Sequence, residues 1–122
     1  MTGVIVVDVA NVVGSRPDGW WRDRAGAARR LYDQVAASAV RPVVLVVEGA
    51  ARSGLEPLDE ADLRVLHAPA SGDDRIVEAV REIRSAGADR VTLVTSDREL
   101  RRRVVELGAD VVGPRWFLER LG

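Results

Sequence analysis

Three short runs rich in aliphatic residues, VIVV at 4–7, VVLVV at 43–47 and VTLVT at 91–95, constrain this chain most. A strand with one wet face alternates apolar and polar residues, whereas a strand covered on both faces reads as a near-continuous apolar run. The expected architecture is therefore α/β, three layers with helices on both sides of a mainly parallel sheet. The stretches between the runs supply the helices. Ala28, Leu31, Val35 and Ala39 follow helical spacing, as do Ile76, Val80 and Ile83 before Gly87, and Leu100, Val104 and Leu107 before Gly108. Residues 63–66 and 109–112 read as two further short strands, and Pro114 opens a terminal helix to Leu121. A helix within 57–62 is a further expectation. Parallel strands joined by helices cross over right-handedly, so the order β-α-β-β-α-β-α-β-α describes one domain over 1–122.

At 122 residues the chain can bury roughly two-thirds of its unfolded surface, enough for a core without staples. Cysteine is absent, which excludes disulfides, thiolate metal sites and a cysteine nucleophile. No apolar run is long enough for a membrane span. The opening MTGVIVVD enters a strand at once, without the basic segment of a signal peptide, so cytoplasm is the expected location. A net charge of −1 gives no global attraction to nucleic acid, so such a partner must be read from local patches. All 18 basic residues are arginine, which reflects genome composition before function, although guanidinium is the better bidentate phosphate ligand.

Open parallel sheets bind ligands beyond the carboxyl ends of their strands. That rule gathers five acids on one rim: Asp8 after the first run, Glu48 after the second, Asp73 and Asp74 after the turn APASG, and Asp97 after VTLVTS. Each also has a plain structural reading. Asp73, Asp74 and Asp97 fall at helix starts, where carboxylates favour the dipole. Glu48 reads equally as a solvated loop residue, and Asp8 as the partner of a nearby arginine. Taken together, clustered carboxylates repel, and they either take up protons or recruit a cation. Oxygen-only ligands suit Mg²⁺ or Mn²⁺, and such an ion stabilises charge on a phosphoryl oxygen and activates water, which points to phosphodiester hydrolysis. Asn11 and Ser96, neutral and beside the acids, can orient a carboxylate, a water or the substrate, or serve as turn and cap residues.

VVDVANVVG, VVLVVEG, SGDDRIVEAV, VTLVTSDREL and LGADVVG, in this order and spacing, resemble the successive motifs of the NYN domains, within the PIN-like superfamily of metal-dependent ribonucleases. The resemblance spans nearly the whole chain. It implies RNA as substrate, one or two Mg²⁺ or Mn²⁺ ions, and Asp8, Asp73 and Asp97 as metal-binding carboxylates with Asp74 and Glu48 as further candidates. Asn11 matches the family's early asparagine and Ser96 its serine beside the last acid. Val9 stands where the family commonly has glycine, and Glu48 where it often has aspartate, so this longer side chain moves the carboxylate away from the strand end.

Arginines follow several strand ends: Arg16, Arg22 and Arg24 after the first, Arg52 after the second, and Arg75, Arg98, Arg101, Arg102 and Arg103 near the other acids. Of these, Arg16, Arg22, Arg52 and Arg98 are the candidates to meet RNA phosphates, which would position the backbone. Glu99 and Glu106 make an ion-paired face the plainer reading of the RRR run. Trp20, after the turn SRPDG, is the candidate to stack on a base; the plainer reading is a lid over the first helix. Trp116 and Phe117 read as core anchors, and His67 as a packed or surface residue.

The reading is therefore a metal-dependent ribonuclease, an endonuclease. Its first rival keeps the fold without catalysis: an RNA-binding or protein-interaction module with structural acids. A receiver-like phosphotransfer domain ranks third, since it wants an aspartate ending a middle strand and a later lysine; the chain has Glu48 and no lysine. A homodimer or an antitoxin-like protein partner is left open.

Overall fold

The computed structural model describes residues 3–122; Met1 and Thr2, where the stretch MTGVIVVD begins, lie outside them. Six strands and five helices follow in order: β1 Gly3–Asp8, α1 Val9–Gly14, α2 Arg24–Ala37, β2 Val43–Val47, β3 Leu58–Asp59, β4 Leu63–His67, α3 Gly72–Ser85, β5 Arg90–Val94, α4 Arg98–Val105, β6 Asp110–Val112 and α5 Pro114–Leu121. Two 3₁₀ turns, Trp20–Arg22 and Gly49–Gly54, interrupt the connections. The strands form one sheet in the order β3-β4-β2-β1-β5-β6. Every pairing is parallel except that of β3 with β4. The chain steps from β1 outward through β2 and β4, then returns to the other side of β1 with β5. This reversal is where α/β sheets open a crevice.

Side-chain direction explains the unalternating runs. Val7, Val43, Leu45, Val47 and Val94 join α1, α2 and Phe117 of α5 in one core. Val6, Val44, Val46, Val91 and Leu93 face the opposite way, into a second core with Ile76 and Val80 of α3 and Leu100 and Val104 of α4. Successive residues thus enter two dry layers, and polar residues have no face to occupy. Helices α2, α3 and α4 start at side-chain caps: Asp23 accepts from the Gly26 N–H at 2.8 Å, Ser71 from Asp74 at 3.3 Å and Asp97 from Leu100 at 3.0 Å. The expected stops are present too, with Gly87 and Gly108 at φ +100° and +84° just beyond α3 and α4.

Two elements differ from expectation. Residues 57–62 hold no helix: β3 pairs with β4 there, Leu58 opposite Val65 and Asp59 opposite Arg64. A two-residue edge strand is too short to show a period, and the Arg64–Asp59 ion pair at 3.0 Å helps hold it. The other is α1, which starts directly after Asp8, where only a strand end was read. Six residues, VANVVG, give too little periodic signal, and Val9, Val12 and Val13 read as more of the same apolar run. In α5, Phe117 is fully buried as expected. Trp116 is only half-buried, and the Arg120 guanidinium lies 3.8 Å from its ring centroid.

Because Phe117 is the largest fully buried side chain, Phe117→Ala is expected to cost about 3–5 kcal/mol in urea unfolding, with an unchanged denaturant slope. A loss under about 1 kcal/mol would mean that α5 is not part of the cooperative core.

Candidate active site

Because β1, β2, β4 and β5 run parallel, their carboxyl ends share one rim. Asp8 ends β1, the strand between β2 and β5, and is only 6% exposed. No arginine pairs with it among the described residues, so the ion-pair reading of this charge does not hold. Its oxygens instead accept from the Thr95 hydroxyl at 2.9 Å and, at a long 3.4 Å, from the Asn11 backbone N–H in the first turn of α1. Burial pushes its pKa up from the usual 3.8 to about 6. The two hydrogen bonds pull it down, and the charges of Asp73 and Glu48 push it further up.

Thr95 is the site residue that the sequence reading missed. Its hydroxyl donates to Asp8 and accepts from the Asp97 backbone N–H at 3.2 Å, so one buried group ties the Asp8 carboxylate to the backbone that carries Asp97. A hydroxyl-bearing residue inside an aliphatic run, directly before Ser96 and Asp97, was the available signal. Asn11 makes the neighbouring tie. Its amide oxygen accepts from the Ser96 backbone N–H at 2.8 Å and from the Ser96 hydroxyl at 3.0 Å. This clamps α1 to the β5–α4 connection and leaves the Asn11 NH₂ end to donate elsewhere.

The remaining acids occupy helix starts around that centre. Asp97 caps α4 through one oxygen, which accepts from the Glu99 and Leu100 N–H groups at 2.9 and 3.0 Å. Asp73 lies in the first turn of α3, half-buried. Partial burial raises its pKa, and the charges of Asp97, Glu48 and Asp74 add to the rise while Arg103 opposes it. Glu48 reaches across to α3 and accepts from the Gly72 N–H at 3.1 Å. A Cβ at position 72 would stand 2.5 Å from the Glu48 carboxylate, so any residue but glycine there would make Glu48 shift from this contact. Asp74 stands apart from the cluster: it is exposed and its carboxylate takes Arg103 of α4 at 2.9 Å.

Asp8, Glu48, Asp73 and Asp97 are thus brought to one rim, within reach of each other's charge. Among the described residues, however, no three acidic or imidazole side chains already stand close enough to hold one metal ion. The donor set fits a hard cation in kind, since it offers carboxylate oxygens alone, and one of them is costly to keep as a buried anion. As arranged, the acids would have to be drawn together by the ion.

The arginines divide. Arg52 is used structurally, donating to the carbonyls of Gly49 and Ala68, each at 3.2 Å. Arg75 pairs with Glu78 and Glu82, and Arg102 with Glu99. Arg22 lies 5.7 Å from the Trp21 ring centroid and Arg24 5.4 Å from that of Trp20. Arg98 is exposed in the first turn of α4 beside Asp97, and Arg16 is half-buried after α1. Trp20 itself is half-buried in its 3₁₀ turn, edge-on to Trp21 with centroids 6.1 Å apart. His67 is a packed residue, its Nε2 2.6 Å from the Leu55 carbonyl oxygen.

No protein-family model matches this chain, and no curated protein matches it. Among solved structures it is similar to Rae1 (YacP) from Bacillus subtilis, a crystal structure of the W164L mutant. The TM-score is 0.70 at 14% identity, over 98% of this chain and 74% of that one. At this identity the likeness is one of fold: a three-layer α/β protein with a mostly parallel six-stranded sheet, consistent with a PIN-like fold. No helix among the described residues is long and apolar enough to cross a membrane.

The buried charge has a pH signature. Because Asp8 holds its proton more tightly when folded, its contribution to stability is greatest below pH 4 and is lost as pH rises through 6. A rise of this size corresponds to about 3 kcal/mol at neutral pH. With chelator present, Asp8→Asn is expected to be about 1–3 kcal/mol more stable than the parent at pH 7.5, with the gap closing toward pH 4. A gap that does not change with pH in denaturant titrations would contradict this.

Proposed function

We propose that this chain is a Mg²⁺- or Mn²⁺-dependent endoribonuclease. The observation that carries the reading is the gathering of acids at the rim around a buried one: burial raises the proton affinity of Asp8 and Asp73 first, and the charges of the facing rim acids add to it. Evenly spread surface acids would not raise one another in this way. In this reading Asp8, Asp73 and Asp97 hold the ion or ions, with Glu48 at the edge of the group and Asp74 a weaker candidate because Arg103 already neutralises it. A divalent ion bound there would offset charge building on a phosphoryl oxygen and favour ionisation of water.

The chain's own residues would set the geometry. Thr95 keeps the Asp8 carboxylate fixed at the end of β1, and the Asn11–Ser96 clamp fixes α1 against the start of α4. The Asn11 NH₂ end is free to donate to a phosphate oxygen. Arg98, Arg16 and Arg22 are the arginines left to meet the RNA backbone, a positioning role that carries no sequence information. Arg52 is withdrawn from that role by its two carbonyl contacts. RNA is the proposed substrate, and the resemblance to the NYN motifs supports it.

A second reading has an observation in its favour. The absence of a preassembled three-acid group among the described residues suits a PIN-like module that binds RNA or protein without cutting. Incubation with end-labelled RNA separates the two. Cleavage is expected with Mn²⁺, none with chelator, and a loss of at least about 100-fold in Asp8→Asn, the range over which a bound ion and its ligands act. Equal cleavage by parent and Asp8→Asn would remove the site, and chelator-insensitive binding without cleavage would favour the second reading.

A further inference from the structure

A cleft of about 310 Å³ opens beside the acidic rim, between α1, α2 and the turn Gly49–Gly54. Val9, Val13 and Ala28 give it an apolar floor, Trp20 an aromatic wall, and Arg24 and Glu48 its charged lining. Val9 follows Asp8 directly and Glu48 follows β2 directly, so the cleft adjoins the rim. Such a volume lies at the small end of ligand pockets, which run from roughly 300 to 1,000 Å³. It takes one flat ring system and excludes a helix or a hairpin.

The lining chemistry narrows the occupant. Trp20 is only half-buried although its six-membered ring passes close over Gly14, where a Cβ would meet it at 3.7 Å. The Arg24 guanidinium lies over the Trp20 ring, 5.4 Å from its centroid, and adds a cationic plane to that wall. Aromatic and guanidinium planes are surfaces on which bases stack. One donor cation and one acceptor anion also suit a base edge, which carries donors and acceptors together. An aliphatic ligand would offer no polar partner to the Arg24 guanidinium or to the Glu48 oxygen that Gly72 does not engage. The apolar floor excludes a second phosphate site.

We propose that this cleft is a nucleobase subsite, which receives one base of an RNA strand whose phosphate lies at the acidic rim. It rests on the ribonuclease reading for its place in a reaction, but base binding itself needs neither metal nor cleavage. Ala10 and Ala51 both line the cleft, the first exposed and the second half-buried against the first core, so a larger side chain at either position takes up cleft space, and at Ala10 it does so without entering a core.

The test is an NMR titration with chelator, following the Trp20 indole N–H. The four nucleoside 5′-monophosphates are added at millimolar concentration, with ribose 5-phosphate as the baseless control. Base-dependent shifts of Trp20 are expected, with binding weakened at least fivefold in both Ala10→Leu and Ala51→Leu and retained in Asp8→Asn. Equal shifts with ribose 5-phosphate, unchanged binding in both filled variants, or no Trp20 response to any nucleotide would overturn the subsite. Base binding in a protein that never cleaves RNA would leave the subsite standing and remove the nuclease reading. Cleavage that is indifferent to both filled variants would do the reverse.

Discussion

The rim depends on a carboxylate buried at the end of a central strand. Asp8 is held at 6% exposure by a hydroxyl and a long backbone contact, without a cationic partner among the described residues. Unpaired charge in such a place is expensive, and proteins keep it where the charge is used. The arrangement around it follows. Asp8 caps α1, so the helix that carries Asn11 begins at the strand end. Thr95 binds Asp8 and Asp97 together, so the start of α4 is referred to the same atom. Glu48 then fixes the start of α3 through Gly72. Two helix starts are thereby tied to the Asp8 oxygens, and the third is held beside them by Glu48.

Much of this was legible in the sequence, because its causes are local or periodic. A strand covered on both faces writes a continuous aliphatic run, and VVLVV at 43–47 returned as β2 without an error of one residue. Gly87, Gly108 and Pro114 marked helix ends by backbone chemistry that needs no partner. The gathering of acids followed from topology, since parallel strands put all their carboxyl ends on one side.

What was not legible depends on contacts between distant residues. Thr95 looked like the tail of a strand, and nothing near it in the chain announces Asp8, 87 residues earlier. Arg52 reads as a free arginine after a strand, yet two carbonyls from separate loops hold it. Asp74 reads like its neighbour Asp73, and only the packing of α3 on α4 gives it Arg103. The short elements α1 and β3 failed for another reason: six and two residues fall below the length at which a period can be seen.

Function turns on whether these acids act as a group. Burial raises the proton affinity of Asp8 and Asp73, the repulsion of neighbouring acids adds to it, and a divalent cation would relieve that repulsion. Anomalous scattering from a crystal grown with Mn²⁺ tests this most directly. The account requires a manganese peak bounded by Asp8, Asp73 and Asp97, lost in Asp8→Asn. A fully ordered rim with water or Arg103 in that position, and no manganese, would contradict it.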